Sequence, residues 1–131
     1  MILYMTLGTN DLTRARAFYD PVLATLGPVH ASLGTSEVGY ARPGDADPWL
    51  YVTAPYDGAK ATRGNGTMLA LTAPTRAAVA AFHAAALAHG GSDEGAPGLR
   101  YSANFYSCYV RDPDGNKLSA VCNLPEGSDR R

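Results

Sequence analysis

Shifted against itself by sixty-four positions, the chain repeats its own pattern. Leu7 falls on Leu71, Ala17 on Ala81, Phe18 on Phe82, Leu23 on Leu87 and Gly27 on Gly91. The coincidences extend beyond residue identity. "LYMTLGT" and "TMLALTA" are short apolar runs with strand character. A turn with a capping residue comes after each, Asp11 in the first and Thr75 in the second, and such side chains accept from the free N–H groups that open a helix. Helical patterns come next. Leu12, Ala15, Tyr19, Val22, Leu23 and Leu26 form one apolar stripe, and Val79, Phe82 and Ala86 form the other. Both patterns end at glycine, which tolerates the left-handed backbone that closes a helix. A repeat of strand, cap, helix and glycine at one offset restricts the chain to two copies of one supersecondary unit.

The segments beyond each helix are strand-like. "VHASLG", "EVGYA" and "WLYVTA" come after the first; a loose "GLRYSAN", then "FYSCYVR" and "KLSAVCN", come after the second. Each half therefore reads βαβββ, and the fold class is α+β. Residues 1–56 form the first module, 57–66 a linker, 67–123 the second module and 124–131 a polar tail expected to be flexible. Pro21 lies inside the first helical pattern, where a missing N–H predicts a kink or break.

Composition removes several function classes. The chain has 131 residues, 46% of them apolar, which suits one compact domain or two small packed halves. Its formal charge of −1, without a run of one sign, argues against nucleic acid or an anionic membrane as partner, because both require a basic surface. No apolar run approaches the ~20 residues that span a bilayer. The start "MILYMTLGTN" lacks the features of a signal peptide, so a cytoplasmic protein is the expectation. Two cysteines, Cys108 and Cys122, suggest neither a disulfide framework nor a zinc site.

Two βαβββ halves carrying "TLGTNDLTRARAFYDPVLATLG" and "YVRDPDGNKLSAVC" resemble the vicinal oxygen chelate superfamily: glyoxalases, bleomycin resistance proteins, fosfomycin resistance enzymes and extradiol dioxygenases. The resemblance runs from about Met1 to Asn123. It implies two mixed sheets curled around a pocket, helices on the outer faces, a small-molecule ligand and a homodimer.

Strand alternation assigns side chains to that pocket. Met5, Leu7, Leu69, Leu71, Leu118, Ala120 and Cys122 suit the helix-covered side. Tyr4, Thr6, Met68, Ala70, Ser119 and Val121 are left facing inward. The "DPDGN" turn sets Tyr109 opposite Ser119 with Ser107 nearby, and Trp49, Tyr51 and Thr53 join them by alternation in "WLYVTA". The predicted ligand-binding set is Tyr4, Thr6, Trp49, Tyr51, Met68, Ser107, Tyr109 and Ser119. An aromatic, hydroxyl-rich lining with little charge suits a neutral, partly apolar molecule.

In metal-dependent relatives, the resemblance implies ligands at the positions of Tyr4, Met68 and Ser119. Phenol, thioether and alcohol are poor substitutes for the imidazole and carboxylate that a divalent cation requires. Elsewhere His30, His83 and His89, with Glu37, Glu94 and Glu126, form no ligand spacing. The prediction is therefore no metal and no cofactor.

Several residues have ordinary structural readings. Asp112 and Asp114, with Pro113 and Gly115, supply turn chemistry rather than a catalytic pair. Cys108 and Cys122 read as buried thiols, and His83 as structural or solvated. A serine without a base is no nucleophile, so Ser119 gains no catalytic role. His30 is the one histidine worth testing for acid–base work.

The resemblance implies two alternative functions. The first is a metal-free binder of a small molecule, as in bleomycin resistance proteins, which sequester a drug without a catalytic metal. The alternative is a lyase, isomerase or dioxygenase of glyoxalase type, which would use a metal as Lewis acid.

Overall fold

The computed structural model describes residues 1–129. Of the expected tail, Arg130 and Arg131 lie outside the described residues. The first module runs β1 (Met5–Gly8), α1 (Leu12–Ala24), β2 (His30–Leu33), β3 (Glu37–Ala41) and β4 (Leu50–Thr53). The second runs β5 (Met68–Thr72), α2 (Arg76–Ala88), β6 (Ser92–Leu99), β7 (Phe105–Arg111) and β8 (Lys117–Asn123). Two four-stranded mixed sheets result, in the orders β1-β4-β3-β2 and β5-β8-β7-β6. In each, the strand before the helix pairs in parallel with the last strand of its module. The sheets share no strand pairing, so no closed barrel forms, and β1 and β5 are both edges.

Both helices begin where the capping residues stand. The Asp11 carboxylate accepts from the Arg14 N–H at 2.9 Å, and the Thr75 hydroxyl accepts from the Ala78 N–H at 3.0 Å. Each cap replaces a hydrogen bond that a helix start otherwise lacks. The buried stripe of α1 is Ala15, Phe18, Tyr19, Val22 and Leu23; that of α2 is Ala78, Val79, Phe82 and Ala86. These stripes cover one face of each sheet, and the two helices also touch each other. Leu7, Val38, Leu50, Val52, Cys108, Val110, Leu118, Ala120 and Cys122 complete a single core. The thiol of Cys108 lies 3.6 Å from the Val79 carbonyl on α2, on the helix-covered side of its strand.

Two local readings are corrected. The helix α1 continues through Pro21 without a break. Proline removes one N–H near the end of the helix, while Phe18, Tyr19, Val22 and Leu23 bury fully around it, and that packing outweighs the lost bond. The loose strand expected at "GLRYSAN" instead ends at Leu99, having begun at Ser92; Arg100–Asn104 is a bend that returns the chain to β7. Pro97 disguised this strand. It is tolerated because β6 is an edge strand whose pairing shifts register on both sides of Gly95.

The "DPDGN" turn does more than reverse the chain. Asp112 Oδ1 accepts from the N–H groups of Asp114 and Asn116, both at 2.9 Å, as turn chemistry requires. Its Oδ2 accepts from the Asn116 side chain at 2.8 Å and from the Tyr19 hydroxyl of α1 at 2.5 Å. Asp114 accepts from the Thr9 hydroxyl, the Asn10 N–H and the Arg14 guanidinium. The Asn116 amide also donates to the Gly8 carbonyl at the end of β1. One turn of the second module thus holds the β1–α1 junction of the first. Asn10 adds a two-way bond with the backbone of Ala61, fastening the segment between modules.

Candidate ligand-binding face

Each sheet turns one face to its helix and leaves the other without a helix. Register partners place residues on that second face in rows. On the first sheet, Thr6, Tyr51, Gly39 and Ser32 form one row. On the second, Ala70, Ser119, Tyr109 and Gly95 form a row, flanked by Thr72, Val121 and Ser107 on one side and Met68, Lys117 and Arg111 on the other. Met68, Ser107, Tyr109 and Ser119 therefore share one face, while Thr6 and Tyr51 share a face of the other sheet. Tyr4, just before β1, meets Tyr51 edge to face with centroids 5.3 Å apart.

Glycine makes room for the two central tyrosines. A Cβ at Gly39 would stand 3.0 Å from the Tyr51 ring and 2.7 Å from Pro48 Cγ. A Cβ at Gly95 would stand 2.9 Å from the Tyr109 ring. Both distances are below ordinary van der Waals contact, so each ring can approach the neighbouring strand this closely only because that strand carries glycine there. Trp49 is half-buried against the core cluster, and its indole Nε1 is buried without a hydrogen-bond partner among the described residues.

Ser119 is fully buried, and its hydroxyl finds no hydrogen-bond partner among the described residues. Its neighbours Leu118 and Ala120 face the core, which directs Ser119 to the other side, beside Tyr109. A buried hydroxyl without a partner costs about 1–3 kcal/mol, so most are satisfied by protein, water or ligand. Tyr4 and Met68 on the same open faces are 52% and 41% exposed, large apolar side chains that a monomer leaves uncovered.

Charge is the feature missing from the sequence reading of this face. The guanidinium of Arg100 and the ammonium of Lys117 stand 4.9 and 5.3 Å from the centroid of the Tyr109 ring. Arg100 also donates to the carbonyls of Ala96, Gly98 and Ser107. Arg111 is held by Glu94 at 2.9 Å and by the Gly115 carbonyl at 2.9 Å. The Arg111 guanidinium pulls the Glu94 carboxyl below its ordinary range, with weaker help from Lys117 and Arg63. Tyr101, the one non-glycine residue with positive φ among the described residues, at 66°, has its phenol raised above the ordinary value by the neighbouring Tyr109. The alternation that assigns Ser119 and Tyr109 to this face also assigns Lys117, two residues before Ser119, and Arg111, two after Tyr109. That signal was legible. Arg63, Arg100 and Tyr101 lie outside any periodic strand and left none.

The resemblance places its expected metal positions at Tyr4, Met68 and Ser119. Tyr4 lies just before the first strand of the first sheet, and the other two stand on the second sheet. Among the described residues no three histidine, cysteine, aspartate or glutamate side chains gather in a ligand cluster. The donor set present does not fit a divalent metal. His30 is exposed on β2, an edge strand, and His83 pairs with Asp93 at 2.8 Å.

Residues 1–119 match the glyoxalase/bleomycin resistance protein/dioxygenase superfamily. The chain belongs to this superfamily. A glyoxalase/bleomycin resistance protein from Albidiferax ferrireducens T118 is 39% identical, covering 88% of this chain and 92% of that one, with a TM-score of 0.79. A family enzyme from Burkholderia phytofirmans PsJN is 19% identical over 94% of this chain and 98% of its own, with a TM-score of 0.73. A fosfomycin resistance protein from Listeria monocytogenes is 18% identical over 90% and 88%, with a TM-score of 0.65. The last two likenesses show the fold alone. No curated protein matches the sequence. Among the described residues, no helix of this superfamily member is long and apolar enough to cross a membrane.

Proposed function

We propose that this superfamily member is a metal-free small-molecule binding protein that works as a homodimer. The observation that carries the reading is the open face of the second sheet. Tyr109 reaches over Gly95 on it, and the fully buried Ser119 hydroxyl beside it has no hydrogen-bond partner among the described residues. The aromatic ring offers apolar contact area, and the Ser119 hydroxyl, which has no solvent access as the face stands, offers one directed hydrogen bond to a ligand that displaces the side chains over it. Met68 and Ser107 share that face, whereas Thr6 and Tyr51 belong to the first sheet, with Tyr4 and Trp49 just ahead of its strands β1 and β4. A second copy that sets its first sheet against this one brings both groups to one ligand. It would also cover Tyr4 and Met68 and give the unpaired edges β1 and β5 a neighbour. At the three positions where metal-dependent relatives place ligands, the donors here cannot take over the charge stabilisation of glyoxalase-type chemistry.

The test is a small-molecule screen by Trp49 fluorescence, repeated with Tyr109→Ala and Tyr51→Ala. Binding by the wild type and its loss in both variants supports the reading. Ligands whose affinity ignores both substitutions refute the site. Light scattering at tens of micromolar must return a dimer mass; a monomer refutes the paired-sheet arrangement.

A further inference from the structure

A cleft of about 770 Å³ opens at the end of the second sheet, where β5 and β8 begin. Arg63, Arg111 and Lys117 line it, together with the Gly64–Thr67 loop and Met68. Among the described residues no carboxylate lines this cleft. Arg111 spends its charge on Glu94, but among the described residues no carboxylate comes within ion-pair distance of Arg63 or Lys117. Arg63 is placed by packing: its Cδ sits over the β7–β8 turn, 3.3 Å from where a Cβ on Gly115 would stand. Lys117 is placed by its strand register beside Met68 and Arg111. Two cations are thus held at one cleft by backbone and packing, neither with an ion-pair partner of its own among the described residues, and the one carboxylate that feels both, Glu94, is already bonded to Arg111. Like charges repel, and holding them together costs free energy that a bound anion returns.

We infer that this cleft binds the anionic group of a small molecule, a carboxylate, phosphate or phosphonate, through Arg63 and Lys117, while the ligand's apolar part lies toward Met68 and Tyr109. The inference rests on the proposed small-molecule binding and replaces its neutral ligand with an anionic one. Arg111 shapes the cleft rather than gripping the anion, because its Nε and one terminal nitrogen already bond Glu94 and Gly115. The Gly64–Thr67 loop stays tight because Gly64 has no side chain: a Cβ there would collide with the Thr67 hydroxyl.

The experiment is an amide-resolved NMR titration with phenylphosphonate, with benzyl alcohol as its uncharged counterpart and chloride holding ionic strength constant. Phenylphosphonate should shift the amides of residues 64–67 and Lys117 saturably. Lys117→Gln and Arg63→Gln should each raise the midpoint about tenfold, the loss expected for one charge-assisted contact. Lys117→Arg should retain binding, and Arg42→Gln in the first module should leave the midpoint unchanged. The amide spectra report directly whether each variant is folded. Unchanged midpoints in both glutamine variants, or benzyl alcohol binding at these residues as tightly as phenylphosphonate, overturn the anion site and leave small-molecule binding standing. Saturation by neither compound overturns the anion site, while small-molecule binding is decided separately by the fluorescence screen.

Discussion

Tyr19→Phe tests what holds the two modules together. The Tyr19 hydroxyl is fully buried in α1 and donates to Asp112 in the β7–β8 turn at 2.5 Å. Phenylalanine keeps the ring, so its contact with Phe18 at 4.9 Å survives and the change isolates one hydrogen bond. A bond to a charged acceptor contributes about 1.5–3 kcal/mol. Asp112 retains Asn116 and two backbone donors, so the carboxylate is not abandoned and the expected loss is about 2 kcal/mol. Unfolding entropy of roughly 2.1 cal/mol/K per residue turns this into a fall of about 7 °C in melting temperature for a chain of this length. The pH dependence adds a second constraint. Burial raises the Asp112 carboxyl above the ordinary aspartate range, against the pull of the Tyr19 hydroxyl and the Asn116 donors. The folded state therefore binds this proton more tightly than the unfolded state, and the group's contribution to stability falls as pH rises through its folded value. Removing the Tyr19 donor raises that value further, so the penalty of Tyr19→Phe should be smallest in acid and grow toward neutrality. Urea denaturation of wild type, Tyr19→Phe, Asp112→Asn and the double variant between pH 4 and 7 measures both effects. A loss below about 0.5 kcal/mol at pH 7, or one that shrinks as pH rises, refutes the reasoning.

Thr75→Ala, which removes the α2 cap, should cost about 1 kcal/mol in the same assay, and Thr75→Ser should restore most of it. Burial raises the Cys108 thiol above its ordinary value, and Cys122 is buried too; both should react with a thiol reagent in urea and not in native buffer at pH 8. Isothermal titration of metal-stripped protein should show only weak, non-stoichiometric binding of Zn²⁺, Ni²⁺ and Mn²⁺. Tight one-to-one binding, lost on changing Tyr4, Met68 or Ser119, would restore the metal-dependent enzyme as the better reading.

The repeat, the caps and the strand alternation are local signals, and they carried the reading of the fold. Asp11 and Thr75 cap helices because their oxygens sit beside free N–H groups of the same segment, a relation that depends on a few residues of sequence. Leu118, Ala120 and Cys122 face the core and Ser119 faces away because a strand has a period of two. Local rules erred where distant partners decided the outcome. Pro21 stays inside its helix because the buried stripe around it packs on its sheet. The strand β6 survives Pro97 because it lies at an edge, a position that only the assembled sheet defines.

The site divides along the same line. Alternation could place Tyr109, Ser119, Lys117 and Arg111 on one face, since each belongs to a regular strand. It could not show that Asp112 and Asp114, read as turn residues, would also anchor Tyr19 and Arg14 about a hundred residues away. Nor could it show Arg63, from an irregular segment, meeting Lys117 at one cleft, or Arg100 folding back over Tyr109. The sequence by itself determined two βαβββ modules, because helix and strand periods are written residue by residue. Which faces stay open, and which charges gather on them, is set by contacts between residues far apart in the chain, and those exist only once the modules have packed.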